Sequence, residues 1–228
     1  MQRAEKLFSI EERQPDSPFV EKIWHARSVP SSAFISVAAN HWEIVIWRHE
    51  GQTHVTMRGP ETRATTKPIP VDAEFFGAQF KLGVFMPSLP LPALLDRDVT
   101  VTSDGGNTLS LGGSAWEIPS YANVEVFLGQ LARENLIAFD PIVADVMEDN
   151  SIDLSRRSVE RRVRRATGLT SGAIKQIDRA HKATALLDAG AAIADVVIEA
   201  GYADQAHLTR SLRRLMGQTP GRILQQAR

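Results

Sequence analysis

Two clusters of arginine lie 49 residues apart in the last third of the chain, and their neighbours match. The recurring residues are Arg161, Arg164, Arg165, Gly168 and Thr170, which reappear as Arg210, Arg213, Arg214, Gly217 and Thr219. A guanidinium group holds several N–H donors in one plane, which suits paired hydrogen bonds to phosphate oxygens and to guanine edges. The clusters therefore predict binding to a polyanion, and to nucleic acid in particular.

An apolar pair with helical spacing accompanies each cluster. Val159 and Val163 are four residues apart, and Leu208 and Leu212 occupy the corresponding positions in the second copy. Residues four apart share one face of a helix, so each pair is expected to anchor its helix in a core. The arginines then project from the remaining faces.

The sequence before each cluster completes a repeated unit. Each arginine-bearing helix is preceded by a residue that can cap it, Ser155 in the first copy and Asp204 in the second. Further upstream, residues 144–146 parallel 194–196, with one additional residue in the first turn, and Gly201 in the second turn can take a positive φ. We therefore predict two copies of a helix-turn-helix unit.

The second helix of each unit carries the side chains expected to contact DNA. These are Arg156, Arg157, Glu160, Arg161 and Arg164 in the first unit and Gln205, Ala206, His207, Thr209, Arg210 and Arg213 in the second. Arg and Gln suit bidentate contacts to guanine and adenine, and the flanking arginines suit phosphates. Two members have a structural alternative, which we favour: His207 caps or packs near its helix start, and Glu160 pairs with Arg164.

Residues 140–224 resemble the DNA-binding domain of the AraC/XylS family of bacterial transcription regulators. The resemblance is carried by Arg179 and by residues 183–187, 193–196, 201–214 and 217–220. It implies seven helices in two helix-turn-helix subdomains joined by a long helix, here 172–189. It also implies operator or promoter DNA as a partner, RNA polymerase as a second one, and entry of both recognition helices into successive major grooves. The first turn, 148–153, departs from the family because it is acidic and lacks glycine.

Charge divides the chain into two parts. Residues 1–150 carry 12 Lys+Arg and 20 Asp+Glu, a net charge of −8, whereas residues 151–228 carry 14 and 7, a net charge of +7. The chain has no cysteine, which excludes disulfides, thiolate zinc sites and cysteine nucleophiles. No signal-peptide pattern and no run of 18 apolar residues is present, so a cytoplasmic location without membrane contact is expected.

The first half of the chain has the pattern of short strands. Strand-like runs occupy 34–37, 42–47, 53–57 and 75–80, with a hairpin turn at 49–52 and a helix expected over 122–139. Glycines at 105–106 and 112–113 predict a polar loop before Pro119. The predicted fold is a mostly-β domain, a small barrel or sandwich of possible cupin type, followed by an all-α double helix-turn-helix domain. We place the β-rich domain at 1–125, a linking helix at 126–139 and the DNA-binding domain at 140–228.

The N-terminal domain is expected either to bind a small-molecule effector or to form a homodimer. Candidate effector contacts are Trp24, Trp42, Trp47, Arg58, Phe76, Gln79 and Phe80, which could equally be core residues. Neither a metal site nor a cofactor is predicted, since the histidines lack ligand spacing, and no catalytic motif is visible, so the protein is not expected to be an enzyme. The alternative is a sensor or interaction protein whose degenerate DNA-binding domain is only a scaffold.

Overall fold

A computed structural model of the protein describes residues 8–28, 33–101 and 107–227. Its strands are β1 Phe8–Arg13, β2 Val20–Ser28, β3 Ala33–Ser36, β4 Glu43–His49, β5 Gln52–Arg58, β6 Thr65–Pro68, β7 Glu74–Phe80, β8 Val84–Phe85, β9 Asp98–Val101, β10 Thr108–Leu111, β11 Ser114–Glu117 and β12 Ala138–Phe139. The helices are α1 Val124–Arg133, α2 Ile142–Met147, α3 Arg156–Thr167, α4 Ser171–Asp188, α5 Ile193–Glu199, α6 Gln205–Met216 and α7 Pro220–Gln226, and a 3₁₀ turn covers Leu91–Leu94.

The mostly-β prediction for the N-terminal part is confirmed. Six strands form an antiparallel sheet in the order β1-β2-β7-β4-β5-β9, and the remaining strands form two-stranded ribbons. The predicted hairpin joins β4 and β5 through Glu50 and Gly51, which both have positive φ as a tight turn of this kind requires. Within the described residues the sheet is open, with β1 and β9 as its edges.

One face of this sheet forms the first hydrophobic core. Alternate residues of the central strands point to it, including Ile44, Ile46 and Phe76, and all three are buried. Helix α1 covers this face through its apolar side, from which Phe127 and Leu131 enter the core. The core explains why α1 forms: its apolar positions recur at helical spacing and have a sheet to pack against.

Two expectations about this part of the chain are wrong in detail. The helix expected over 122–139 ends at Arg133, because Asn135 takes a positive φ and the chain returns as β12 to pair with β8. Gly112 and Gly113 do not border a loop; they form the turn of the β10–β11 hairpin. The other glycine pair, 105–106, lies outside the described residues.

The C-terminal part is helical, as predicted. Helix α4 runs Ser171–Asp188, close to the expected 172–189, and forms the centre of a second hydrophobic core. From α4, Ile177 and Leu187 pack with the buried leucines of α6 and with Ile223 of α7. The two-domain organisation is thus seen in two cores, one built on the sheet and one on α4.

Candidate nucleic-acid interface

Helix α3 presents a basic face. Its first turn is capped by Ser155, whose Oγ accepts a hydrogen bond from Ser158 N at 3.3 Å. Val163 and Ala166 are buried, whereas the arginines at 157, 161 and 164 are exposed. Since these arginines are four and three residues apart, they share one face of the helix. No carboxylate in the described part of the chain pairs with any of them.

Helix α6 repeats this arrangement. Asp204 caps it by accepting a hydrogen bond from His207 N at 2.6 Å, and Leu208 and Leu212 are fully buried. The side chains at the positions equivalent to the α3 arginines are also exposed, and they are Ala206, Arg210 and Arg213. The outward face of α6 therefore has two guanidinium groups beside one small apolar residue.

The repeat extends beyond the two recognition helices. Both end at a glycine in the left-handed conformation, Gly168 with φ 74° and Gly217 with φ 70°. The next helix of each unit is then capped by threonine, Thr170 before α4 and Thr219 before α7. Capping side chains, left-handed glycines and buried residues at equivalent positions thus fix the course of the backbone from each recognition helix onward.

The turn between the two helices of a unit differs between the first and the second unit by more than the sequence indicated. Asp149 with φ 55° takes the left-handed position that Gly201 with φ 71° takes in the second unit, which shows how the first unit manages without glycine. Five residues separate Asp149 from Ser155, but two separate Gly201 from Asp204, so the first turn is longer by three residues, not one. Asp149 also pairs with Lys175 of α4.

Three predicted DNA contacts have partners inside the protein. The carboxylate of Glu160 accepts hydrogen bonds from Ser171 N and Oγ, so it binds the start of α4 and does not pair with Arg164. His207 packs edge-on against the Tyr202 ring, with centroids 5.1 Å apart, which agrees with the packing role favoured for it. Thr209 Oγ1 donates to Gln205 O at 2.8 Å, so its hydroxyl is already hydrogen-bonded within α6.

The sequence did not reveal the structural role of two other arginines in α3. Arg162 donates to both carboxylate oxygens of Asp140, at 2.9 and 2.7 Å, and this hydrogen bonding raises the pKa of Arg162. The guanidinium carbon of Arg165 lies 5.3 Å from the centre of the Phe85 ring. Neither partner is near in sequence, so no local pattern indicated these contacts.

The candidate effector residues divide between two sides of the sheet. Trp42 and Phe80 are stacked in the first core, with relative exposures of 2% and 0%, and Phe76 is buried with them. The core interpretation therefore accounts for these three. By strand register, the others lie on the opposite face of the sheet, and they are Trp24, Trp47, Arg58 and Gln79.

Buried Glu43 organises this opposite face. Trp24 Nε1 donates to one of its oxygens at 3.0 Å, and Arg58 donates to the other at 2.9 Å. The Trp24 ring lies over Gly77, where a Cβ would come within 2.8 Å of it. Burial lowers the pKa of Arg58, but the three carboxylates of Glu43, Asp98 and Glu61 together raise it by more, so the net change is upward. Arg58 is thus charged and already paired.

The described residues contain no group of three histidine, aspartate or glutamate side chains placed to hold a metal ion. Within the same residues, no helix combines the length and apolar character needed to cross a membrane.

Comparison with known proteins identifies the helical part. Residues 150–226 match a protein-family model described as a helix-turn-helix domain, which covers α3 to α7. No curated protein and no solved structure matches the chain. The matched region includes the two capped, basic helices, and it supports a role in DNA-binding transcription regulation. This match agrees with the resemblance of residues 140–224 to the DNA-binding domain of the AraC/XylS family.

Proposed function

We propose that the protein regulates transcription by binding a specific DNA site through α3 and α6. The observation that carries this proposal is the matched pair of outward faces, at positions 157, 161 and 164 and at 206, 210 and 213, on helices that both begin at a side-chain cap and end at a left-handed glycine. A helix presenting unpaired guanidinium groups can donate to guanine N7 and O6 in the major groove. Two such helices in one chain suit a site that spans two successive grooves.

The side chains divide by chemistry. Arg210 and Gln205 are proposed to contact guanine and adenine edges, with Ala206 and the Thr209 methyl group beside thymine methyls. Phosphate contacts are assigned to Arg156, Arg157, Arg161, Arg164 and Arg213, and they make affinity fall with rising salt. Glu160 and His207 are left out of the interface, because their contacts stabilise the two units.

The test is footprinting of the full chain on genomic fragments, including the DNA upstream of its own gene, with competitor DNA and rising salt. We expect protection of a discrete site of two adjacent major grooves. Arg210→Ala should weaken binding by about 1–3 kcal/mol and relax the preference at one base position. Arg222→Ala, which removes an exposed arginine of α7, is the matched control and should leave the base preference unchanged. Retention of full preference by Arg210→Ala would remove Arg210 from the interface.

A second candidate function is that of a scaffold. It is favoured by the acidic first turn, where Glu148, Asp149 and Asp153 are exposed next to α3 and would repel phosphates. Failure of the full chain to bind any fragment at low salt would select it. Binding without preference among unrelated duplexes would instead indicate an architectural role.

Control by the N-terminal domain is part of the proposal. Either a small ligand on the sheet face around Trp24, Trp47 and Gln79, or pairing of two protomers, would modulate DNA binding. Native mass spectrometry of the full chain distinguishes these, because a bound ligand adds a small mass to the monomer and pairing doubles it. A bare monomer that binds DNA normally would argue against both.

A further inference from the structure

The sheet domain completes the hydrogen bonding of α6. The last four carbonyls of a helix have no partner within it. In α6 two of these are Arg214 O, which accepts from Ala64 N at 2.8 Å, and Leu215 O, which accepts from Ala38 N at 2.7 Å. Both donors belong to the N-terminal domain, so the second recognition helix is capped by a different domain.

The donors lie on a cross-connected pair of turns, which we call the platform and define as residues 38–40 and 61–64. Ala39 and Glu61 exchange two backbone hydrogen bonds of 2.9 Å, which join the two turns. Thr62 bonds Asp96 through both its N and its Oγ1, each at 2.7 Å. The platform is therefore tied together and tied to the rest of the β domain.

The platform also contacts α4 and the end of α6. Asn40 Nδ2 donates to Asp178 at 2.6 Å, and His181 Nε2 donates to Ala38 O at 2.7 Å. A Cβ at Gly217 would lie 3.1 Å from Ala64 Cβ, which shows how closely the backbones approach. The interface thus includes both the helix that joins the two units and the helix proposed to contact DNA.

The same domain contacts the C-terminal end of α3 at a separate place. A Cβ at Gly168 would lie 3.0 Å from Leu91 O in the 3₁₀ turn, so the two backbones are nearly in contact. Ala166 of α3 and Val143 of α2 are members of the first core, the one built on the sheet. The first unit is therefore anchored in the β domain by apolar packing, and the second by hydrogen bonds to the platform.

We infer that the β domain positions the two recognition helices relative to each other. Helix α4 connects the units along the chain, and the β domain connects the C-terminal ends of α3 and α6 across the molecule, so the helices are held by two independent links. A pair of helices held in this way accepts one separation between its half-sites on DNA. Only this consequence for DNA binding rests on the proposed function. The platform residues act as positioning residues.

The first measurement needs no DNA. Because the chain has no cysteine, Arg157→Cys and Ala206→Cys give two unique spin-label sites at equivalent positions of α3 and α6. Pulsed electron paramagnetic resonance should show one narrow distribution of distances between the two spin labels. Ala64→Pro removes the donor to Arg214 O and should broaden the distance distribution. Ala64→Ser keeps the N–H and should leave the distribution narrow. If Ala64→Pro fails to fold, Asn40→Ala/His181→Ala removes the α4 contacts and should broaden it as well.

The second measurement uses DNA sites with one or two base pairs inserted between the half-sites, and unlabelled protein. Insertion should weaken wild-type binding by about tenfold or more, a cost within the range of one lost base contact, and should weaken Ala64→Pro binding by less than about threefold. Simple destabilisation would lower affinity for every spacing by the same factor. An equally narrow distance distribution and equal spacing dependence in all variants would overturn the inference. If wild type binds no discrete site, the proposed function fails, and the distance measurement alone decides on the β domain's role.

Discussion

Protonation of His41 is expected to destabilise the protein below neutral pH. His41 follows the platform in the turn between β3 and β4. Burial lowers its pKa from 6.5 to about 4. Nearby groups act in both directions: Glu43 raises the pKa of His41, and Lys22, His181 and Arg58 lower it. The folded protein therefore keeps this imidazole neutral where the unfolded chain protonates it.

The size of the effect follows from the two pKa values. The unfolded chain binds the proton first, so stability is fully present above pH 6.5 and is lost as the pH falls toward 4. At about 1.4 kcal/mol per pH unit, the complete loss is roughly 3 kcal/mol, and about 2 kcal/mol is lost by about pH 5. A loss of this size is a considerable part of the stability of an ordinary domain.

The assay compares wild type with His41→Gln, which cannot titrate. Between about pH 7.5 and about pH 5, the free energy of unfolding of wild type should fall by about 2 kcal/mol more than that of the variant. All four tryptophans lie in the N-terminal part, at positions 24, 42, 47 and 116, so their emission during urea unfolding reports on the β domain. Far-ultraviolet circular dichroism reports on the helices. An equal fall in both proteins would refute the assignment of this pH dependence to His41.

Two further substitutions test the helical domain. Glu160→Gln weakens the cap on α4, so we expect a loss of about 1 kcal/mol in the free energy of unfolding and no change of base preference in a binding selection. An altered preference would return Glu160 to the DNA interface. Leu212→Ala empties a fully buried position and should cost about 2–5 kcal/mol in urea unfolding. A cost under about 1 kcal/mol would contradict its place in the second core.

The helical domain was predictable because its information is local. The capping residues, the apolar pairs and the glycines that end α3 and α6 all lie within a few residues of the features they determine. Because these signals occur twice, the sequence also showed where each of the two units lies along the chain. The partner of Glu160 was missed because Ser171 lies eleven residues away, beyond the helix, where the spacing rule that suggested Arg164 does not apply.

The β domain was predictable only in outline. The alternation of side chains along the strands separates Trp24 and Trp47 from Phe76 and Phe80. It does not show which face of the sheet α1 will cover, so aromatic residues of the core and of the open face were predicted as one set of effector contacts. The platform was invisible for a similar reason. Its donors are backbone N–H groups of alanines, which any residue except proline could supply, and their acceptors are 150 or more residues away.

The order of synthesis adds a consequence to the capping of α6 by the platform. The last strand of the sheet ends at Val101, which is translated about 110 residues before Arg214, so at about 5–20 residues per second the sheet has roughly 6–22 s to fold before α6 leaves the ribosome. The last recognition helix therefore docks on a surface that already exists. A mutation that slows folding of the sheet would then delay completion of α6 in newly made protein, although the helix-turn-helix sequences are unchanged.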